Sequence, residues 1–256
     1  MCIIAIAYRV HPAYPLVIAA NRDEFYSRPT APLGYWKDNP DILAGRDLKS
    51  HGTWLGMNKK GKIAAVTNFR EPGKTIESGI SRGFLVKNYL EDDTPPDIYL
   101  ESVAARKNEY SGFNLVAGNI DSLFWYSNRG NGIKKIEPGI HGLSNRLLNS
   151  PWPKVEKIRM GISHIVEQHI EIEAETLFRL LTDSARPPDE MLPDTGIGRR
   201  WEQILSPVFV TSDVYGTRCS SVILVDTAGK VLFCERSFDL TDTIDTRCFT
   251  LYPENR

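Results

Sequence analysis

Position 2 of the sequence is a cysteine, and what it can do depends on what stands before it. Removal of the initiator methionine is the usual outcome before a small second residue, and it leaves Cys2 with a thiol and a free α-amine on one Cα. An α-amine titrates near ~7.7–8.0, so at neutral pH an unprotonated fraction can take the proton of an adjacent nucleophile. N-terminal threonine nucleophiles use the same device. A thiol adds a small standing thiolate population that a nearby cation enlarges. The plainer reading of Cys2 is a small apolar residue opening a strand.

A second cluster, Asn21-Arg22-Asp23-Glu24, follows at once on the apolar run Leu16-Val17-Ile18-Ala19-Ala20. Strands and cores disfavour these four residue types, so the tetrapeptide predicts a strand end. With residues 2–8 and 16–20 as antiparallel neighbours, that end lies beside Cys2. Arg22 is then placed to stabilise a thiolate, and Asp23 to hold the α-ammonium or orient the amine, as the third member of a triad orients its base. A solvated turn with local ion pairs is the alternative. Asn68 ends the run Ala64-Ala65-Val66-Thr67, and Asn145 closes Gly142-Leu143-Ser144-Asn145. Amide donors of this kind hold a developing oxyanion, and losing one costs ~10²–10³ in rate. Arg218, in Tyr215-Gly216-Thr217-Arg218, offers a planar fork of donors for a carboxylate or for the nucleophile.

These side chains need a strand-rich frame. Residues 2–8 and 16–20 read as one hairpin, and residues 53–58 and 62–67 as a second around Lys59-Lys60-Gly61, where glycine supplies a positive φ. Further strands are predicted over residues 113–117, 123–126, 221–225, 231–235 and 247–251, and the nearly unbroken apolar run at 221–225 predicts cover on both faces. Ser150-Pro151 reads as the start of a helix carrying Val155, Ile158, Ile162, Ile165, Val166 and His169. Ser81 is expected to cap a helix with Phe84, Leu85, Tyr89 and Leu90, and residues 98–107 and 174–181 predict shorter helices. Neither repeats nor a convincing linker interrupt residues 1–256, which implies one domain with helices outside two sheets.

Composition narrows the function classes. The 256 residues are 41% hydrophobic and 25% charged, with 31 basic and 32 acidic side chains and a net charge of −1, which suits a globular chain without a general pull toward nucleic acid or anionic membrane. No run approaches the ~20 apolar residues needed to span a bilayer, and Tyr8-Arg9 ends the opening apolar run too early for a secretory signal. Cys2, Cys219, Cys234 and Cys248 form no metal pattern, so four reduced thiols and a cytoplasmic location are expected, with a Cys219–Cys234 bridge the lesser alternative. His11, His51, His141, His164 and His169 supply no H-E-x-x-H spacing, and no metal is assigned. Gly196-Ile197-Gly198 before Arg199-Arg200 lacks the remainder of a phosphate loop.

Together, Met1-Cys2-Ile3-Ile4, Asn21-Arg22-Asp23-Glu24-Phe25-Tyr26-Ser27-Arg28-Pro29, Gly52-Thr53-Trp54-Leu55-Gly56, Thr67-Asn68, Gly112-Phe113-Asn114-Leu115, Gly142-Leu143-Ser144-Asn145 and Tyr215-Gly216-Thr217-Arg218 resemble the NRDE family, that of the Transport and Golgi organization protein 2. This family is distantly similar to N-terminal nucleophile hydrolases of the choloylglycine hydrolase and penicillin V acylase group. The resemblance implies an α+β fold, a four-layer αββα sandwich of two antiparallel sheets. It also implies a cysteine nucleophile at Cys2, a charged pair at Arg22 and Asp23, oxyanion donors at Asn68 and Asn145, and a late arginine at Arg218. Asn21 and Glu24 are left to bind substrate, and the hydrolases' different spacing leaves the essential acid as Asp23 or Glu24.

The activity so implied is an amidohydrolase or acyltransferase acting on a non-peptide C–N amide through a thioester, with no cofactor required. The rival is a carrier that holds haem or acyl-coenzyme A in the same cleft without turnover, its cysteine ligating iron and Arg22 or Arg218 holding a propionate or phosphate.

Overall fold

The computed structural model describes residues 2–73, 79–168, 170–239 and 242–254. In chain order the strands are β1 (Cys2–Tyr8), β2 (Leu16–Phe25), β3 (Thr30–Tyr35), β4 (Ile42–Asp47), β5 (Leu55–Asn58), β6 (Ile63–Asn68), β7 (Phe113–Gly118), β8 (Leu123–Ser127), β9 (Lys134–Lys135), β10 (Gly139–Leu143), β11 (Tyr215–Val225), β12 (Val231–Asp239) and β13 (Asp242–Leu251). The α-helices are α1 (Gly83–Glu91), α2 (Pro96–Ala105), α3 (Pro153–Gln168), α4 (Ala174–Leu181) and α5 (Arg199–Ile204). The strands build a six-stranded sheet, β10-β1-β2-β11-β12-β13, and a seven-stranded sheet, β3-β4-β5-β6-β7-β8-β9. Every described pairing is antiparallel. By contacts the chain divides into two compact units, residues 1–27, 138–144 and 148–250 in one, and residues 28–137, 145–147 and 251–256 in the other.

In the first unit, strand alternation sends Ile3, Ala5 and Ala7 of β1, with Val17 and Ala19 of β2, onto the stripe Ile158, Ile162 and Ile165 of α3 and onto Leu177, Phe178 and Leu181 of α4. Burying each large side chain contributes about 1.5–3 kcal/mol. Cys2, Ile4, Ile6 and Tyr8 point the other way and are buried as well, which is why β1 reads as a continuous apolar run. Both faces of residues 221–225 are likewise covered.

In the second unit, β5 and β6 form the expected hairpin, with Gly61 at φ +80° and Asn58 Oδ1 accepting the Lys60 and Lys62 N–H groups. Gly52 is required by close approach, because a Cβ there would stand 2.5 Å from the carbonyl carbon of Gly83, the first residue of α1.

Several expectations are corrected. Asn21-Arg22-Asp23-Glu24 does not end its strand, because β11 runs alongside and keeps β2 in register as far as Phe25 opposite Tyr215. Helix α3 begins at Pro153 rather than Pro151; the Trp152 carbonyl accepts the Val155 and Glu156 N–H groups. His169 lies outside the described residues. Ser81 provides no side-chain cap for α1, and only its carbonyl accepts the Phe84 N–H, at 3.0 Å.

The expectation of four reduced thiols also fails, since Cys234 and Cys248 form a disulfide and Cys2 and Cys219 are free. Cys219 stands opposite Ser237, whereas Cys234 stands opposite Val222, so Cys219 and Cys234 occupy opposite faces of the sheet and cannot be bridged. The neighbouring edge strand β13 supplies the partner instead.

Candidate active site

The register of the six-stranded sheet sets the site. Cys2 stands opposite Arg22 and Arg22 opposite Cys219, with a bulge between Thr217 and Cys219 that leaves Thr217 opposite Asp23. Directly opposed residues share a face, so one face carries the row Cys2, Arg22, Cys219. The other face carries Asn21 and Ser220. The polar cluster survives inside a strand because each member has partners there.

Asp23 is 1% exposed. Its Oδ1 accepts the Thr217 hydroxyl at 2.8 Å, while Thr217 Oγ1 accepts the Val210 N–H at 2.9 Å. The hydroxyl thus accepts from one backbone N–H and spends its one hydrogen on the carboxylate, which when ionised can only accept. Tyr215 Oη donates to the Asp23 carbonyl at 2.7 Å. Burial pushes the Asp23 carboxyl up from its usual range, against which act the Lys154 ammonium, the Thr217 hydrogen bond and the Arg22 guanidinium. Lys154, in α3, is itself buried and donates to the Leu205 carbonyl at 3.0 Å.

Cys2 is 7% exposed. Burial pushes its thiol up and the Asp23 charge adds to that, while Arg22 and the Asp23 backbone N–H act in the opposite sense. A thiol so placed is protonated at neutral pH and needs a local base to react. Ser144 Oγ donates to the Cys2 carbonyl at 2.9 Å, so strand β10 and its last motif are tied to the start of β1. Met1, whose removal the chemistry requires, lies outside the described residues.

Asn21 is 0% exposed, and its amide is used by the fold: Nδ2 donates to the Leu181 and Val208 carbonyls and Oδ1 accepts from Ser220. Glu24 stands 4.0 Å from Arg22 Nη2. Arg218, the bulged residue, donates from Nη1 to the carbonyls of Phe25 and Tyr26, each at 3.0 Å, and lies over the Tyr26 ring. In the second unit Asn68 closes β6, and Asn145 Nδ2 donates to the Asn68 carbonyl at 2.9 Å. Buried Asn114 spans the same region, donating to Thr67 Oγ1 at 3.1 Å and to the Arg146 carbonyl at 2.8 Å. The structure thus gathers Cys2, Arg22 and Asp23 in the first unit, and Asn68 and Asn145 in the second.

Four residues carry more than the sequence reading gave them. Thr217 and Asn114 sat inside quoted motifs without a role. Lys154 shows itself only as a basic residue opening an amphipathic helix. Glu235, 4% exposed, accepts a hydrogen bond from the Cys219 thiol, and its signal was a carboxylate in an apolar strand. Among the described residues, no group of three or more His, Cys, Asp and Glu side chains is placed to hold a metal ion, and no helix is long and apolar enough to cross a membrane.

Two antiparallel sheets carrying helices, with a cysteine opening the first strand, define an α+β fold like that of the N-terminal nucleophile hydrolases. A conjugated bile acid hydrolase from Clostridium perfringens shares it at TM-score 0.52 and 10% identity, over 97% of this chain and 96% of that one. The family model described as "Transport and Golgi organisation 2" matches residues 1–240, and the chain belongs to that family. It is 36% identical to the mouse Transport and Golgi organization 2 homolog over 263 residues, covering 95% of each chain. It is 37% identical to the human homolog over 257 residues, covering 93% of each.

Proposed function

We propose that the chain is an N-terminal cysteine amidohydrolase or acyltransferase for a non-peptide acyl amide, working through a thioester. The observation that carries this reading is the placing of Cys2 opposite Arg22, with Asp23, buried and hydrogen-bonded to Thr217, next along β2. Once the initiator methionine is removed, the α-amine of Cys2 takes the thiol proton and the sulfur bonds to the acyl carbon. The C–N bond then breaks, and the proton passes from the α-ammonium to the departing amine. Water, or an acceptor in a transferase, attacks the thioester and returns the thiol. Asp23 holds and orients the α-ammonium, Arg22 stabilises the thiolate, and Arg218 binds an anionic portion of the substrate. The oxyanion role of Asn68 and Asn145 belongs to the same proposal.

The test is intact mass of the purified protein together with a screen of N-acyl amides against the parent and Cys2→Ala. The expected result is loss of the methionine, turnover by the parent only, and a trapped acyl adduct on Cys2. A retained methionine, or equal turnover by Cys2→Ala, refutes the mechanism. A Soret shift on haem titration that disappears in Cys2→Ala, with no hydrolysis of any amide, replaces it with the carrier reading.

A further inference from the structure

Strands β12 and β13 are hydrogen-bonded neighbours, and β13 ends the order of the six-stranded sheet. Only two residues separate Asp239 from Asp242, too few for the crossover that parallel strands need, so the two strands run antiparallel. The disulfide joins Cys234 of β12 to Cys248 of β13 with their Cα atoms 4.1 Å apart. A separation that short marks a non-hydrogen-bonded pair, whose Cα atoms stand about 4.5 Å apart rather than about 5.5 Å. The N–H and C=O of Cys248 therefore point away from β12, and by strand alternation so do those of Thr246 and Ile244. Among the described residues no strand of the sheet lies on that side. The edge is also uncovered: Ile244, Thr246, Arg247 and Cys248 are exposed, Ile244 at 65%. Proteins commonly blunt such edges with proline or lysine, and Asp242–Leu251 contains neither. The disulfide instead fixes β13 to a cysteine packed in the core with residues of α3 and α4, which holds the outward row in place.

We propose that β13 is the interface of a homodimer, pairing antiparallel with β13 of a second copy about a twofold axis at Thr246. Hydrogen bonding and charge set this register. Outward-pointing residues must oppose outward-pointing residues, so the axis passes through a residue and not between two. At Asp245 or at Arg247 it would set like charges directly opposite one another. At Thr246 it sets Asp245 opposite Arg247 of the second copy and Arg247 opposite Asp245 of the second copy, with Ile244 opposite Cys248. Opposite charges directly across a strand pair stabilise it, and like charges destabilise it. Within one chain Arg247 Nε already donates to Asp245 Oδ2 at 2.6 Å, so the pairing closes a ring of four alternating charges on one face. The contact is isologous, and each cross-strand pair occurs twice. None of the candidate site residues takes part, so the interface is independent of the hydrolase reading.

The experiment is sedimentation velocity of the whole, oxidised protein from low to high micromolar concentration. The parent should pass from monomer to dimer. Asp245→Arg and Arg247→Asp should each weaken the dimer about tenfold or more, because two symmetry-related pairs turn from attractive to repulsive, and the double exchange should restore it. Thr246→Pro removes an outward N–H while leaving the bonds to β12 in place, and it should weaken the dimer likewise. A parent that stays monomeric throughout overturns the proposal and leaves the edge to a strand of some other protein. Survival of the dimer at parent strength in any of the three single variants, or its absence in the double exchange, overturns the proposal as well. Should the variants misfold, amide exchange in the parent decides. The amides of Ile244, Thr246 and Cys248 should exchange more slowly at the concentration where the dimer forms, and unchanged exchange there would place the dimer contact elsewhere.

Discussion

Cys2 and Arg22 face one another across β1 and β2, and the opposite flank of Arg22 faces Cys219. One guanidinium therefore sits between two thiols, yet the two are not equally suppressed. Cys219 is pushed well above the usual thiol range by burial and by the Glu235 carboxylate, whereas Cys2 is raised by burial and by Asp23 but relieved by Arg22 and a backbone N–H. Iodoacetamide at pH 8, read by peptide mass, should alkylate Cys2 faster than Cys219, because the less suppressed thiol carries the larger thiolate fraction. Arg22→Gln should slow Cys2. Equal labelling of the two thiols contradicts this account of the row.

Asp23 gives a pH dependence with a definite sign. Its carboxyl is raised in the folded state, first by burial, above an unfolded value near ~3.9. The folded chain therefore holds the proton more tightly than the unfolded chain. The resulting stability is complete below about pH 4 and is lost as pH rises through the folded value. Denaturant midpoints of the parent and Asp23→Asn, compared from pH 4 to 8, should diverge with the parent losing ground as pH rises. A difference that stays constant across that range shows that Asp23 titrates alike in both states.

The meeting of Cys2, Arg22 and Asp23 was legible, and the reason is local. Cys2, Arg22 and Asp23 belong to a two-strand hairpin whose register follows from its apolar runs, so their meeting required only antiparallel pairing. The course of β2 past Ala20 was not legible, because what keeps Asn21–Phe25 extended is β11, almost two hundred residues later in the chain. Strands β3, β4 and β10 carry glycine or proline and little β-branching, and α5 is too short for a helical period to show. The disulfide was misread for the same kind of reason. Whether Cys219 and Cys234 share a face depends on a one-residue step in register.

That disulfide makes a separate prediction. Cys234 lies in the core against α3 and α4, and Cys248 is exposed on the edge strand β13, 14 residues further along. Closing a loop of that length removes unfolded-state entropy worth about 3 kcal/mol. Cys248→Ser deletes the staple at a solvated position, so it should lower the unfolding free energy by about that amount under oxidising conditions. Under reducing conditions it should match the parent. Identical denaturation of parent and variant in both conditions would show that the bridge does not form in solution.

Gly216 links the motif Tyr215-Gly216-Thr217-Arg218 to the state of Asp23. A Cβ at Gly216 would meet Tyr26 Oη at 2.1 Å and the Val210 carbonyl oxygen at 2.8 Å. The tyrosine can swing aside, but Val210 cannot, because its carbonyl accepts the Thr217 N–H at 2.8 Å and its own N–H holds Thr217 Oγ1 at 2.9 Å. Moving Val210 frees the hydroxyl that points at Asp23. Gly216→Ala should therefore cost about 1–3 kcal/mol, the usual range for overpacking a filled site, and should raise the Asp23 midpoint because a hydrogen bond to the carboxylate is lost. Thr217→Val should raise that midpoint by the same route, while Thr217→Ser keeps the hydroxyl and should leave it near the parent value. Urea denaturation and the Asp23 carboxyl resonance measure the two effects separately, and a Gly216→Ala protein that loses stability with the Asp23 midpoint unmoved would show that Val210 does not orient the threonine.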